Sequence, residues 1–159
     1  MTAIETPRGG APVGVLSDLA DVEAAAVICL RLWCDGPDSK AAVRADFTDA
    51  LGPEGGARAM REFEQLLGLC ARHGRRPLMR HGVHCKCVGA DEACFANCIA
   101  AAAEGDLNDA MLIATLLVRP DMAPMAVPLA AAFGLALRRM MLAASRDLPP
   151  QPLNHATLH

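Results

Sequence analysis

Apolar residues recur at steps of three and four from the first firm segment of the chain onward. Leu19, Val22, Ala26, Cys29, Leu30 and Trp33 share one face and predict a helix over about 18–34, with Ser17 or Asp18 as its N-cap. The polar run "CDGPDS" ends it. Pro37 opens a second helix at its first turn, where the missing N–H costs nothing. Val43, Phe47, Ala50 and Leu51 form the buried stripe of that helix, and "LGPEGG" closes it. Met60, Phe63, Leu66, Leu67 and Cys70 give a third helix over about 54–73. Gly74 is placed to end it in the left-handed region, with Pro77 shortly after. A fourth helix begins near Gly89–Asp91 and runs to about Glu104; Asp91 and Glu92 sit where the helix dipole favours negative charge. Asp106 caps a fifth helix that ends at Val118. The last helix reaches about Arg146 and begins at Pro124, with Pro128 as a kink, or only at Pro128. Its apolar positions, Leu129, Phe133, Leu135, Leu137, Met140 and Met141, go almost all the way round, the pattern of a helix central to the core or covered by a partner. No segment carries a convincing strand pattern, and no repeat of fixed period is present.

The pattern predicts an all-α fold: a compact bundle of about six helices with one long Cys/His-rich loop, residues 74–89, between helices three and four. The helical domain spans 15–147. Residues 1–14, with Pro7, Gly9, Gly10, Pro12 and Gly14, are expected as a flexible arm, and 148–159 as a flexible proline-rich tail. Composition agrees: 53% of the residues are hydrophobic but only 3% aromatic, and much of the apolar content is alanine, the strongest helix former. The β-branched and aromatic residues that strands prefer are sparse.

Charge changes the picture in one interval. The net charge is −3, which weighs against an unspecific nucleic-acid binder. Between Glu64 and Asp91, however, there is no acid, and the interval holds Arg72, Arg75, Arg76, Arg80, Lys86, His73, His81 and His84. A solvated basic loop, compensation of nearby thiolates and a phosphate contact are three readings of it. The last is disfavoured because no aromatic residues interleave for stacking on bases. The N-terminus lacks the basic start and apolar run of a signal peptide. Met122–Leu137 is sixteen residues with two prolines, short of the roughly 18–20 that a bilayer demands. A cytoplasmic protein with no membrane span is therefore expected. There the seven cysteines are not a disulfide framework.

The unusual chemistry lies in "RHGVHCKCVGADEACFANC", Arg80–Cys98, which holds four of the cysteines and two of the histidines. In an extended segment Cys85 and Cys87 point to one side, and on a helix Cys94 and Cys98, four apart, share a face. If the loop folds back through Gly89, the four thiolates Cys85, Cys87, Cys94 and Cys98 are candidate ligands for a tetrahedral zinc. His81 is the substitute ligand, because Gly82 lets the chain turn between it and Cys85. Cys70 and His73 form a further candidate pair. An iron–sulfur cluster is the second choice of cofactor, although the spacing differs from ferredoxin runs. The bland alternative is that Cys94 and Cys98 are small core residues beside Phe95, Ile99 and Ala102.

Three functional classes follow. The first is a helical binding or regulatory module whose closed zinc site pins the 74–89 loop. The second is a thiol redox or iron–sulfur protein using Cys85 and Cys87, with Arg80 and Lys86 lowering a thiol pKa. The third is a metal-free interaction scaffold that buries its last helix against a protein partner or a second copy. Glu92 is the one carboxylate near the thiols that could serve a catalytic metal, and the motifs of zinc hydrolases, deaminases, P-loops and dinucleotide folds are absent. The sequence leans away from an enzyme.

Overall fold

The computed structural model describes residues 8–148; the expected tail from 149 onward and the first seven residues of the expected arm lie outside them. The described chain is mostly helical. Its α-helices are α1 (Asp21–Trp33), α2 (Pro37–His73), α3 (Ala90–Glu104), α4 (Leu107–Leu117) and α5 (Ala123–Arg146). The expected second and third helices are the two halves of α2. They meet at Gly52, whose φ of 81° and ψ of 169° break the helix before Pro53 restarts it. Glycine reaches that φ without the Cβ penalty, and Pro53 then stands in a fresh first turn.

Two termini depart from expectation. Gly74 has φ −68° and ψ 152°, so α2 runs out into extended chain, not a left-handed cap. Instead, Gly74 bridges Val118, and the Arg119 N–H donates to the His73 carbonyl at 2.9 Å. Helix α1 starts three residues after the expected cap, because Leu16–Asp18 forms a 3-10 turn. The α3–α4 corner is as the sequence predicts. Gly105 ends α3 at φ 84°, and the Asp106 carboxylate accepts the Asp109 N–H.

The mostly helical fold agrees with the all-α expectation, to which the structure adds one small two-stranded sheet. Residues 12–14, expected as part of a loose arm, join Val15 in β1 (Pro12–Val15), antiparallel to β2 (Cys87–Gly89). Gly9 and Gly10 ahead of it are buried. The strand was hidden because Pro12 and Gly14 depress β propensity, and Val13 and Val15 point outward with no apolar alternation to reveal them.

The core lies where α5 packs on α1, α2, α3 and α4. Phe47 and Phe63 stack on Phe133 at 5.7 and 4.5 Å between centroids, and Phe95 meets the edge of Phe63 at 6.4 Å. Helices α3 and α5 approach closely at Gly134, where a Cβ would lie 2.9 Å from the Ile99 carbonyl oxygen. By length and composition Pro120–Arg146 is apolar enough to cross a membrane; here its inner face, including Ala126, Ala130, Phe133 and Leu137, is buried against the other helices. Pro128 does sit inside this helix, and Pro124 in its first turn.

Candidate functional site

The long loop is held by protein groups that converge from four parts of the chain. Its anchor is Arg31, on the inner side of α1 and only 2% exposed. The Arg31 Nε donates to Glu92 Oε2 at 2.9 Å, Nη1 to the Cys85 carbonyl at 2.6 Å and Nη2 to the Cys87 carbonyl at 2.7 Å. One rigid guanidinium thus grips two loop carbonyls and a buried carboxylate, a fork geometry that lysine lacks. The other oxygen of Glu92 accepts the His81 N–H at 2.5 Å. Asp91, one residue earlier, takes both nitrogens of Arg76 at 2.7 Å and the Met79 N–H at 2.8 Å. No buried side-chain nitrogen or oxygen among the described residues lacks a partner.

Asp91 and Glu92 therefore do more than complement the dipole of α3. They are the two posts to which the loop is tied. Gly9 lies so close to the Arg76–Asp91 pair that an added Cβ would overlap both groups. The Leu16 N–H donates to the Lys86 carbonyl at 2.8 Å, and the Ala90 N–H to the Ala11 carbonyl at 3.0 Å. The N-terminal strand forms the outer wall of the loop.

Within this frame the structure brings two of the five candidate ligands together. His81 Nδ1 lies 3.4 Å from Cys85 Sγ, and His81 Nε2 lies 2.8 Å from the Gly10 carbonyl. A carbonyl only accepts, so Nε2 carries a proton and Nδ1 faces the sulfur. The ring can then take the thiol proton and hold it as imidazolium beside thiolate. The Gly82 turn makes the approach, with the Cys85 N–H donating to the Gly82 carbonyl at 3.0 Å. The hydrogen bond from His81 lowers the Cys85 pKa first, then the Cys87 backbone N–H, with further help from the charges of His81 and Arg31. The same bond, together with the Gly10 carbonyl, raises the His81 pKa.

The other cysteines have different surroundings. Cys87 is exposed on β2, two residues from Cys85. Cys98 is buried with its Sγ 3.7 Å from the Ala110 carbonyl, and burial pushes its thiol up to about 12. Cys94 is half-buried and its pKa is raised, first by burial and then by Asp91. Burial likewise lifts Cys70 to about 11 and Cys29 to about 12. Cys29, Cys70 and Cys98 lie in the core and Cys94 packs against it. His73 does not join Cys70; its Nδ1 lies 3.2 Å from Arg119 Nη2.

The structure does not bring the zinc set Cys85, Cys87, Cys94, Cys98 and His81 together. Among the described residues no three His, Cys, Asp or Glu side chains are grouped to hold a metal ion. His81 Nδ1 faces Cys85 Sγ and its Nε2 faces the Gly10 carbonyl.

The basic interval is also explained. Arg76 serves Asp91, Arg75 Nε donates to the Thr115 carbonyl at 2.6 Å, and Arg80 Nη2 donates to the Cys34 carbonyl at 3.2 Å. Sequence reasoning missed Arg31 and Gly10. Arg31 carried a weak signal: it stands four residues after Val27 on the inner side of "VICLRLW". Gly10 contributes a backbone carbonyl, which no residue type announces. No protein-family model, no curated protein and no solved structure matches this chain.

Proposed function

We propose that the protein is a thiol redox protein of a reducing, cytoplasmic compartment, with Cys85 as the attacking sulfur, His81 as its proton partner and Cys87 as the resolving thiol. The observation that carries this reading is the His81–Cys85 contact with Nε2 fixed on the Gly10 carbonyl. It gives one thiol of seven a base, a donor N–H and access to solvent. The thiolate is the reactive form of cysteine, and low-pKa accessible cysteines next to a second thiol are the ones that oxidise reversibly.

The co-reactant is a hydroperoxide. Cys85 thiolate attacks the outer peroxide oxygen; an S–O bond forms and the O–O bond breaks. The departing alkoxide takes the proton from His81 Nδ1 and leaves as alcohol. The Cys87 thiol then attacks the Cys85 sulfenic acid, forming the S–S bond and releasing water. An external dithiol returns both sulfurs to thiols by exchange.

The test is peptide-resolved alkylation of Cys85 against pH, followed by hydrogen peroxide treatment. Cys85 should become reactive at a pH below the ordinary thiol value of 9.0, and His81→Ala should move that midpoint upward. Peroxide should yield a Cys85–Cys87 disulfide reversed by dithiothreitol and absent in Cys85→Ser. A Cys85 that titrates like a free thiol, or peroxide treatment that never links the two cysteines, refutes the proposal.

A further inference from the structure

A cavity of about 470 Å³ opens between α1, the C-terminal half of α2 and residues 77–80. That volume lies within the ~300–1,000 Å³ typical of small-molecule sites. Leu30, Trp33, Leu67, Cys70 and Leu78 make its walls apolar, and no carboxylate is among its lining residues. Its lining carries a single charged group, Arg80. Arg80 lines it and is exposed, with the Cys34 carbonyl as its hydrogen-bond partner. Arg72 Nη2 lies 3.1 Å from where a Cβ on Gly68, a lining residue, would stand. Lys40 Nζ and Arg44 Cζ lie 4.7 and 4.9 Å from the Trp33 ring centroid. Glu64 pairs with Arg44, so that cation is already matched, and Asp35 accepts from the Ser39 hydroxyl.

An apolar cavity with one arginine and no carboxylate in its lining is complementary to a molecule with an aliphatic body and an anionic end. We infer that this cavity binds a medium-chain aliphatic carboxylate, its tail between Trp33 and Leu67 and its carboxylate on Arg80. A carboxylate can take the outward-facing N–H groups of that guanidinium in a charge-assisted bond, while the tail covers apolar wall now open to water. The inference is independent of the thiol reading, since neither His81 nor Cys85 lines this cavity.

Trp33 is the sole tryptophan, so its emission reports occupancy directly. Decanoate titrated into the full chain should shift that emission saturably. Arg80→Gln, an exposed position whose change leaves the core intact, should weaken decanoate about tenfold, the loss of one charge-assisted bond. Ala71→Phe on the exposed rim should abolish the shift, with far-UV ellipticity unchanged for both variants. Decyltrimethylammonium should bind more weakly than decanoate, and Cys85→Ser should bind like the unaltered protein, which separates this result from the redox one. No saturable shift, or equal affinity for the cation and the anion, overturns the inference. So does binding that emerges only after deletion of residues 149–159, which would assign the cavity to the chain's own tail.

Discussion

Replacing Arg31 by methionine tests the frame of the site most directly. The side chains are similar in length, so packing along α1 is largely kept while the charge and the fork are lost. Glu92, wholly buried, would be left without its cation, and the Cys85 and Cys87 carbonyls without their donors. Removing one partner of a buried ion pair costs roughly 3–5 kcal/mol, because the desolvated charge that remains is uncompensated. Against a typical total of about 5–15 kcal/mol, that is a large share of the stability. Urea unfolding followed by helical ellipticity gives the number. Arg31→Met/Glu92→Leu removes both charges and should lose less than Arg31→Met alone, since no buried charge is left, although the loop carbonyls and the His81 N–H remain unpaired. The thiol supplies a second readout. With the loop released, the His81–Cys85 contact is lost and the Cys85 alkylation midpoint should rise toward that of an ordinary cysteine. A cost below about 1 kcal/mol for Arg31→Met, the level of an exposed pair, would refute the buried-anchor account.

Other perturbations probe separate parts of the structure. Gly134→Ala should lower the melting temperature: the Ile99 backbone cannot yield to the new Cβ, and overpacking of about 1–3 kcal/mol outweighs the gain of up to about 1 kcal/mol in helix propensity; a stabilised variant would mean that α3 and α5 do not approach closely there. Gly9→Ala should speed proteolysis of the N-terminal strand and change Cys85 reactivity, because its Cβ displaces the Arg76–Asp91 pair; unchanged kinetics of both would contradict the packing. Alkaline pH should destabilise the fold through Cys29 and Cys98, each raised from 9.0 to about 12, and Cys70, raised to about 11. Folded-state values above the unfolded ones give a contribution that is complete below pH 9 and lost as pH rises toward them, by up to about 1.4 kcal/mol per pH unit per thiol. Urea midpoints that stay level from pH 9 to 10.5, a range read from those same shifts, would show these thiols to be solvated.

Much of the helical order could be read from local pattern. Pro37 at a helix start, Asp106 as a cap and the Val22–Trp33 face depend on residues within a turn or two of one another, and those rules are strong. The sheet and the anchor depend on partners far apart in sequence. Arg31 meets Glu92 across 61 residues and His81 meets Gly10 across 71. A lone arginine in an apolar run reads as a side chain reaching for water, and only the folded chain shows it turned inward. The cysteines were half legible. Their spacing put His81 near Cys85 across Gly82, correctly, but gave no measure of depth, and depth is what separates Cys85 from Cys94 and Cys98.

The convergence of Gly10, Arg31, His81 and Glu92 also carries a consequence for how the protein is made. During synthesis the segment from Arg80 to Cys87 leaves the ribosome before Glu92 and α3 exist. Contacts of such high sequence separation form late in folding, after the loops between them have closed. Until then Cys85 has neither its imidazole fixed nor its backbone donor set, and it reacts no faster than the other thiols of the nascent chain. On the redox reading proposed above, Cys85 would thereby gain its reactivity only after Arg31, Glu92 and Gly10 have met around the loop.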